Sequence, residues 1–180
     1  MKNTVCLILL IFITLGVYAQ DIKEQQSKMQ NFVSKTGVIL KFEDYILPTI
    51  KSTYDIAESK IRKVIAGNES KYFLQISKNG KYATKTASIA YEDLIETQKA
   101  LSNLKIQAEK DWETSSDYLE NKFITDDGFQ IGYYVSKGKT VWYIKLEKYD
   151  SESTLFLKDP ESIESIFQLG KEKVETLKVI

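Results

Sequence analysis

The sequence contains no histidine and one cysteine, Cys6, and these two scarcities remove more chemistry than any motif supplies. Without imidazole there is no Ser-His-Asp triad, no histidine-based zinc site and no side chain whose unperturbed pKa lies near neutrality. Proton transfer would fall to Asp, Glu, Lys or Tyr with strongly displaced pKa values. Two prolines and eight glycines in 180 residues exclude collagen-like and Pro/Gly-rich disordered chains. An excess of one charge is also missing: 25 basic and 25 acidic side chains cancel, which argues against nucleic acid or an anionic membrane as partner, since their binding rests on basic surface.

The one long apolar run is Val5-Cys6-Leu7-Ile8-Leu9-Leu10-Ile11-Phe12-Ile13, with Lys2 before it and Val17-Tyr18-Ala19 after it. A short positive end, a short apolar stretch and small closing residues predict a secretory signal peptide over 1–19, cut after Ala19. A spanning helix needs about 20 apolar residues, and this run is shorter and leads at once into Gln20-Asp21-Ile22-Lys23-Glu24. Cys6 lies inside the stretch and not at its cleavage point, so no lipid anchor is expected. The product, 20–180, is expected to be a single domain in the periplasm or outside the cell, with no integral membrane segment. Removing 1–19 takes away Lys2 and leaves 24 basic and 25 acidic groups, a net charge of −1. It also leaves no thiol for a disulfide, a Cys nucleophile or a thiolate metal site, in a compartment where disulfides form. No cofactor is implied. Stability must come from a core, and about 160 residues suffice to bury roughly 68–70% of the extended-chain surface.

Two stretches alternate in the manner of strands. Phe129-Gln130-Ile131-Gly132-Tyr133-Tyr134-Val135 and Val141-Trp142-Tyr143-Ile144-Lys145-Leu146-Glu147 flank Gly138-Lys139, a glycine-first pair suited to a type II′ turn. That turn would set Val135 opposite Trp142 and Tyr133 opposite Ile144 on one face. Tyr134 would then oppose Tyr143, Gly132 oppose Lys145 and Gln130 oppose Glu147 on the other. A second hairpin runs through 71–77, turns at Asn79-Gly80 and returns through 82–88. Each hairpin leads into apolar residues at helical spacing: Tyr91, Leu94, Ile95, Leu101, Leu104, Ala108 and Trp112 in one case, and Ile163, Ile166, Phe167, Val174 and Leu177 after Asp159-Pro160 in the other.

The remaining segments are less decided. Val38, Leu40 and Phe42 alternate before Pro48, 118–125 forms a short strand closed by Asp126-Asp127-Gly128, and 22–35 reads as a polar, marginal helix. Residues 53–66 suit helix or strand, with strand chosen for the second part. Together these predict an α+β fold: one continuous, saddle-like antiparallel sheet with two amphipathic helices on one face. The order can be read as a duplicated strands-then-helix unit over 38–112 and 117–178.

No motif specifies catalysis. Asp126-Asp127-Gly128 lacks the alternating acids of a calcium loop and serves as a turn. No spacing of acids singles out the acid and base of a glycosidase. The expected site is the face of the 129–148 hairpin turned away from the helices, with Tyr134, Tyr143, Lys145 and Glu147, and with Phe73 as the equivalent of Tyr143 in the first half. Tyrosine offers apolar area and a hydroxyl with little entropy to lose. The expected function is therefore an exported, non-catalytic binding or accessory protein for a protein, peptide or glycan. A structural component of the envelope, including a homo-oligomer built through sheet edges, is one alternative; a carboxylate-dependent hydrolase is another.

Overall fold

The computed structural model describes residues 26–179. The expected signal peptide, and the start of the predicted 22–35 helix, lie outside the described residues.

The first sheet is formed by β1 (Leu40–Lys51), β2 (Ile56–Ala66), β3 (Glu69–Asn79) and β4 (Thr84–Ala90), in that order and all antiparallel. The chain then enters α2 (Tyr91–Asp111), after the short α1 (Lys28–Val33) that precedes β1. The second sheet repeats the plan with β5 (Tyr118–Ile124), β6 (Gln130–Ser136), β7 (Lys139–Lys145) and β8 (Thr154–Leu157), followed by α3 (Glu161–Val179). The class is α+β as expected, but the eight strands form two four-stranded sheets instead of one continuous sheet. They meet end to side. Thr53, in the β1–β2 turn, donates its N–H to the Phe156 carbonyl of β8 at 2.7 Å, and Lys78 reaches the Thr154 carbonyl at 3.2 Å.

A single core joins both sheets to both long helices. It contains Ile61, Leu74, Ile76 and Ile89 from the first sheet, Ile131, Tyr133, Ile144 and Leu155 from the second, and Leu94, Leu101, Ile163, Phe167 and Val174 from the helices. α2 packs on β3 and β4 but also on β5 and β6, whereas α3 packs on β1 and β2. The two helices run antiparallel, since Tyr91 bonds Glu175, Gln98 bonds Gln168 and Lys105 bonds Glu164. All five residues expected on the inner face of α3 are buried, and Asp159 caps its start by accepting from the Ser162 N–H. In α2 the buried set includes Asp93 and Thr97, while Trp112 falls just beyond the helix and is exposed.

Three local expectations are corrected. Pro48 does not end its strand: β1 runs through it, with a bulge between Leu47 and Ile50 where Ser59 donates its hydroxyl to the Pro48 carbonyl. An edge strand tolerates this because the missing N–H has no ladder bond to make. Asn79-Gly80 does not form a two-residue turn; Asn79 pairs with Thr84, and Gly80 bonds Ala83 across a four-residue loop. In the β6–β7 hairpin the turn is Lys137-Gly138, both at positive φ (52° and 69°), the geometry of a type I′ turn. The register therefore sits two residues from the expected one, pairing Tyr134 with Val141 and Gly132 with Tyr143. A slip of two preserves the faces, so inward and outward sets are as expected.

The outward face of the first sheet is partly covered. α1 seats Phe32 against Val64, Ala66, Phe73 and Ala90. Six residues are too few for a stable isolated helix, and the element is held by a Ser27–Gln30 capping box and by Lys28. Farther along this face Arg62 and Lys60 both bond Asp44, and the Arg62 guanidinium holds that carboxyl down at about 2. A carboxyl lowered on folding stabilises above its unfolded value of about 3.9, and that contribution is lost as pH falls through about 2. Asp44→Asn is thus expected to cost under about 1 kcal/mol at neutral pH, because the pair is partly solvated. The two melting curves should converge as pH approaches 2, and a constant difference across pH would assign the effect to packing.

Candidate outward sheet face

Side chains on β5 to β8 alternate between the core and the opposite face. The outward set includes Tyr118, Glu120 and Lys122 from β5, Gly132 and Tyr134 from β6, Val141, Tyr143 and Lys145 from β7, and Thr154 and Phe156 from β8. Neither long helix covers it.

Two tyrosines form a platform at one end. Tyr118 and Tyr134 stack with centroids 5.8 Å apart and planes 25° apart; Tyr118 is 57% exposed and Tyr134 is half-buried. Tyr143 behaves differently from the expected contact residue. It is 6% exposed, lies directly opposite Gly132 and donates its hydroxyl to Glu120 Oε1 at 2.6 Å. Burial, and then this bond to a carboxylate, push the Tyr143 phenol far above its usual value. Burial alone would raise the Glu120 carboxyl, but the bonds from Tyr143 and Lys122, with the nearby Lys145 charge, hold it below the ordinary range. Tyr143 is thus a strut between β7 and β5, with Glu120 ionised at its end.

Gly132 does not leave room for a ligand. A Cβ there would stand 2.4 Å from the Asn121 carbonyl oxygen and 2.7 Å from Lys122 Cβ, so β5 already fills that space. The glycine permits close approach of two strands.

Of the expected contact residues, Tyr134 and Lys145 lie on this face and half-exposed, and Tyr143 lies on it but buried. Glu147 and Phe73 are elsewhere. Glu147 follows β7 in the connection to β8 and faces Lys85 of the first sheet at 3.5 Å, because the true register pairs Gln130 with Lys145. Phe73 is fully buried on the outward face of the other sheet, under α1. Sequence reasoning missed Tyr118, Glu120, Lys122 and Phe156. The signal for the first three was present, since 118–125 alternates, but its inward and outward phases had no partner strand to fix them.

Two other polar clusters are structural in their contacts. Tyr133 Oη and Asn121 Nδ2 both donate to Asp111 at the end of α2, at 2.6 and 2.7 Å, and burial with the Asp111 bond lifts the Tyr133 phenol to about 12. Lys28 Nζ meets Asp93 Oδ1 at 2.5 Å, and its backbone N–H bonds both Asp127 oxygens at 3.0 Å. Burial, Asp93 and Asp126 push the Asp127 carboxyl up. Among the described residues no group of three or more His, Cys, Asp or Glu is arranged to hold a metal ion, and no helix is long and apolar enough to cross a membrane. Comparison with known proteins gives no matching family model, no matching curated protein and no matching solved structure.

Proposed function

We infer that this chain is an exported, non-catalytic binding or accessory protein whose ligand, a protein, peptide or glycan, rests on the outward face of the second sheet. The observation that supports the reading is the stacked Tyr118–Tyr134 platform, part-exposed on a sheet face that neither long helix covers. It is bordered by Glu120, Lys122 and Lys145, so an apolar surface is flanked by both signs of charge. Aromatic area with charged neighbours is the composition of a recognition surface. Export rests on the 1–19 pattern.

The test is capture of a partner from an envelope extract by the purified protein and by Tyr134→Ala. Tyr143 is unsuitable for this purpose because it is a buried strut. The expected result is a partner retained by the wild type and lost at least tenfold by Tyr134→Ala at unchanged melting temperature. Equal retention by both proteins would move the ligand off this face.

A further inference from the structure

Each sheet has two edges, and three of the four are blunted. β1 carries Pro48 and a bulge, β4 carries a charge in its inward phase, Lys85, paired with Glu147 and Asp150 of the second half, and β8 has four residues with the Phe156 carbonyl already bound by Thr53. These are the usual devices against strand pairing. β5 has none of them. It is seven regular residues, Tyr118-Leu119-Glu120-Asn121-Lys122-Phe123-Ile124, paired with β6 alone.

The direction of its free backbone groups follows from the adjoining turn. Thr125 N–H bonds the Phe129 carbonyl at 2.9 Å, in the same register that pairs β5 with β6. Antiparallel ladders alternate bonded and non-bonded pairs. Phe123, Asn121 and Leu119 therefore bond β6, while Tyr118, Glu120, Lys122 and Ile124 direct N–H and C=O to the open edge. Those four residues are also the exposed ones of the strand. Among the described residues, no backbone group outside the sheet bonds them.

The sequence of this edge is complementary to its own reverse. About a twofold axis at Asn121, Glu120 opposes Lys122 of a second copy and Lys122 opposes its Glu120. Tyr118 opposes Ile124, Leu119 opposes Phe123, and Asn121 opposes itself. The axis also falls at a permitted site: Asn121 is a non-bonded position on the outer side, so the flanking pairs are the ones that exchange hydrogen bonds. We propose that β5 is a self-association edge, and that a second copy of this chain pairs with it antiparallel about Asn121. Two second sheets then become one of eight strands, and the two tyrosine platforms lie on one continuous face. The interface is isologous, as expected for a homodimer. The pairing depends on β5 alone and is independent of the ligand reading.

One strand pair buries less than the roughly 1,200–2,000 Å² of a standard interface, so the association depends on concentration. The experiment is sedimentation velocity from micromolar to about 1 mM, a range that reaches complexes with dissociation constants near millimolar. Wild type is expected to move from one-chain to two-chain mass. Lys122→Glu sets Glu against Glu, and Glu120→Lys sets Lys against Lys, so each variant alone should associate at least tenfold more weakly. Mixed in equal amounts they restore Lys–Glu pairs, and two-chain mass should return. Lys122→Glu keeps the Glu120–Tyr143 bond, and its melting curve reports that the fold is intact. A wild type of one-chain mass throughout, or a folded Lys122→Glu that associates as well as wild type, overturns the proposal. A mixture that stays at one-chain mass with both variants folded also overturns it.

Discussion

Replacing Gly132 by alanine is expected to lower stability by about 3 kcal/mol, the upper part of the range for overpacking a filled site. The new Cβ meets the Asn121 carbonyl oxygen at 2.4 Å and Lys122 Cα at 2.9 Å, and these are backbone atoms that no rotamer change can clear. The strands must part at Lys122, which also lengthens the reach from Tyr143 on β7 to Glu120 on β5. For a chain of this size the melting midpoint should fall on the order of 6–12 °C, at about 2–4 °C per kcal/mol. Thermal unfolding followed by circular dichroism reads this directly. A loss below about 1 kcal/mol would show that β5 can move aside at little cost, and the edge it presents would then be a pliable one.

The second large effect concerns Lys28. Its side chain is 29% exposed, but the Asp93 side chain it meets is only 6% exposed, and Asp93 Oδ2 has no hydrogen-bond partner. Removing one member of a fully buried pair costs about 3–5 kcal/mol, because the surviving charge stays uncompensated. With Lys28 partly solvated, Lys28→Met is expected to cost about 2–3 kcal/mol. The neighbourhood sharpens the penalty: Asp126 lies 3.6 Å from the same ammonium, and Asp127, which accepts from the Lys28 backbone, also feels its charge, so the substitution withdraws a cation from three neighbouring acids. Asp93→Asn in the Lys28→Met background should recover more than 1 kcal/mol, and a double-mutant cycle measures that coupling. Additive effects of the two substitutions would mean that the ion pair is incidental and that α1 is held by Phe32.

The parts of the fold that were legible in the sequence are those set by local periodicity. Both long helices, the α+β class and the face assignments of β6 and β7 follow from apolar spacing, and burial of Ile131, Tyr133, Ile163 and Phe167 agrees with it. What local pattern could not carry was geometry decided at a distance or by one dihedral. Lys137 adopts a positive φ that only the neighbouring Gly138 hinted at, and the hairpin register moved by two as a result. The division into two sheets depends on where the β1–β2 turn meets β8, a contact between residues about a hundred positions apart. The site shows the same boundary. Tyr134 was legible from alternation, whereas the burial of Phe73 required knowing which face α1 would cover, and the self-complementarity of β5 required knowing that it would be an edge.

The crossing of the helices between sheets has a temporal side. β1 and β2 are finished by Ala66, yet the helix that covers Tyr45 and Ile61 begins only at Glu161, so a growing chain carries an uncovered apolar surface until residues 161–179 are made. Contacts this far apart in the chain form slowly, since loop closure precedes any reward from packing. The interval before α3 docks is therefore the period of greatest exposure to wrong partners. Docking of α3 completes a surface laid down about a hundred residues earlier by β1 and β2.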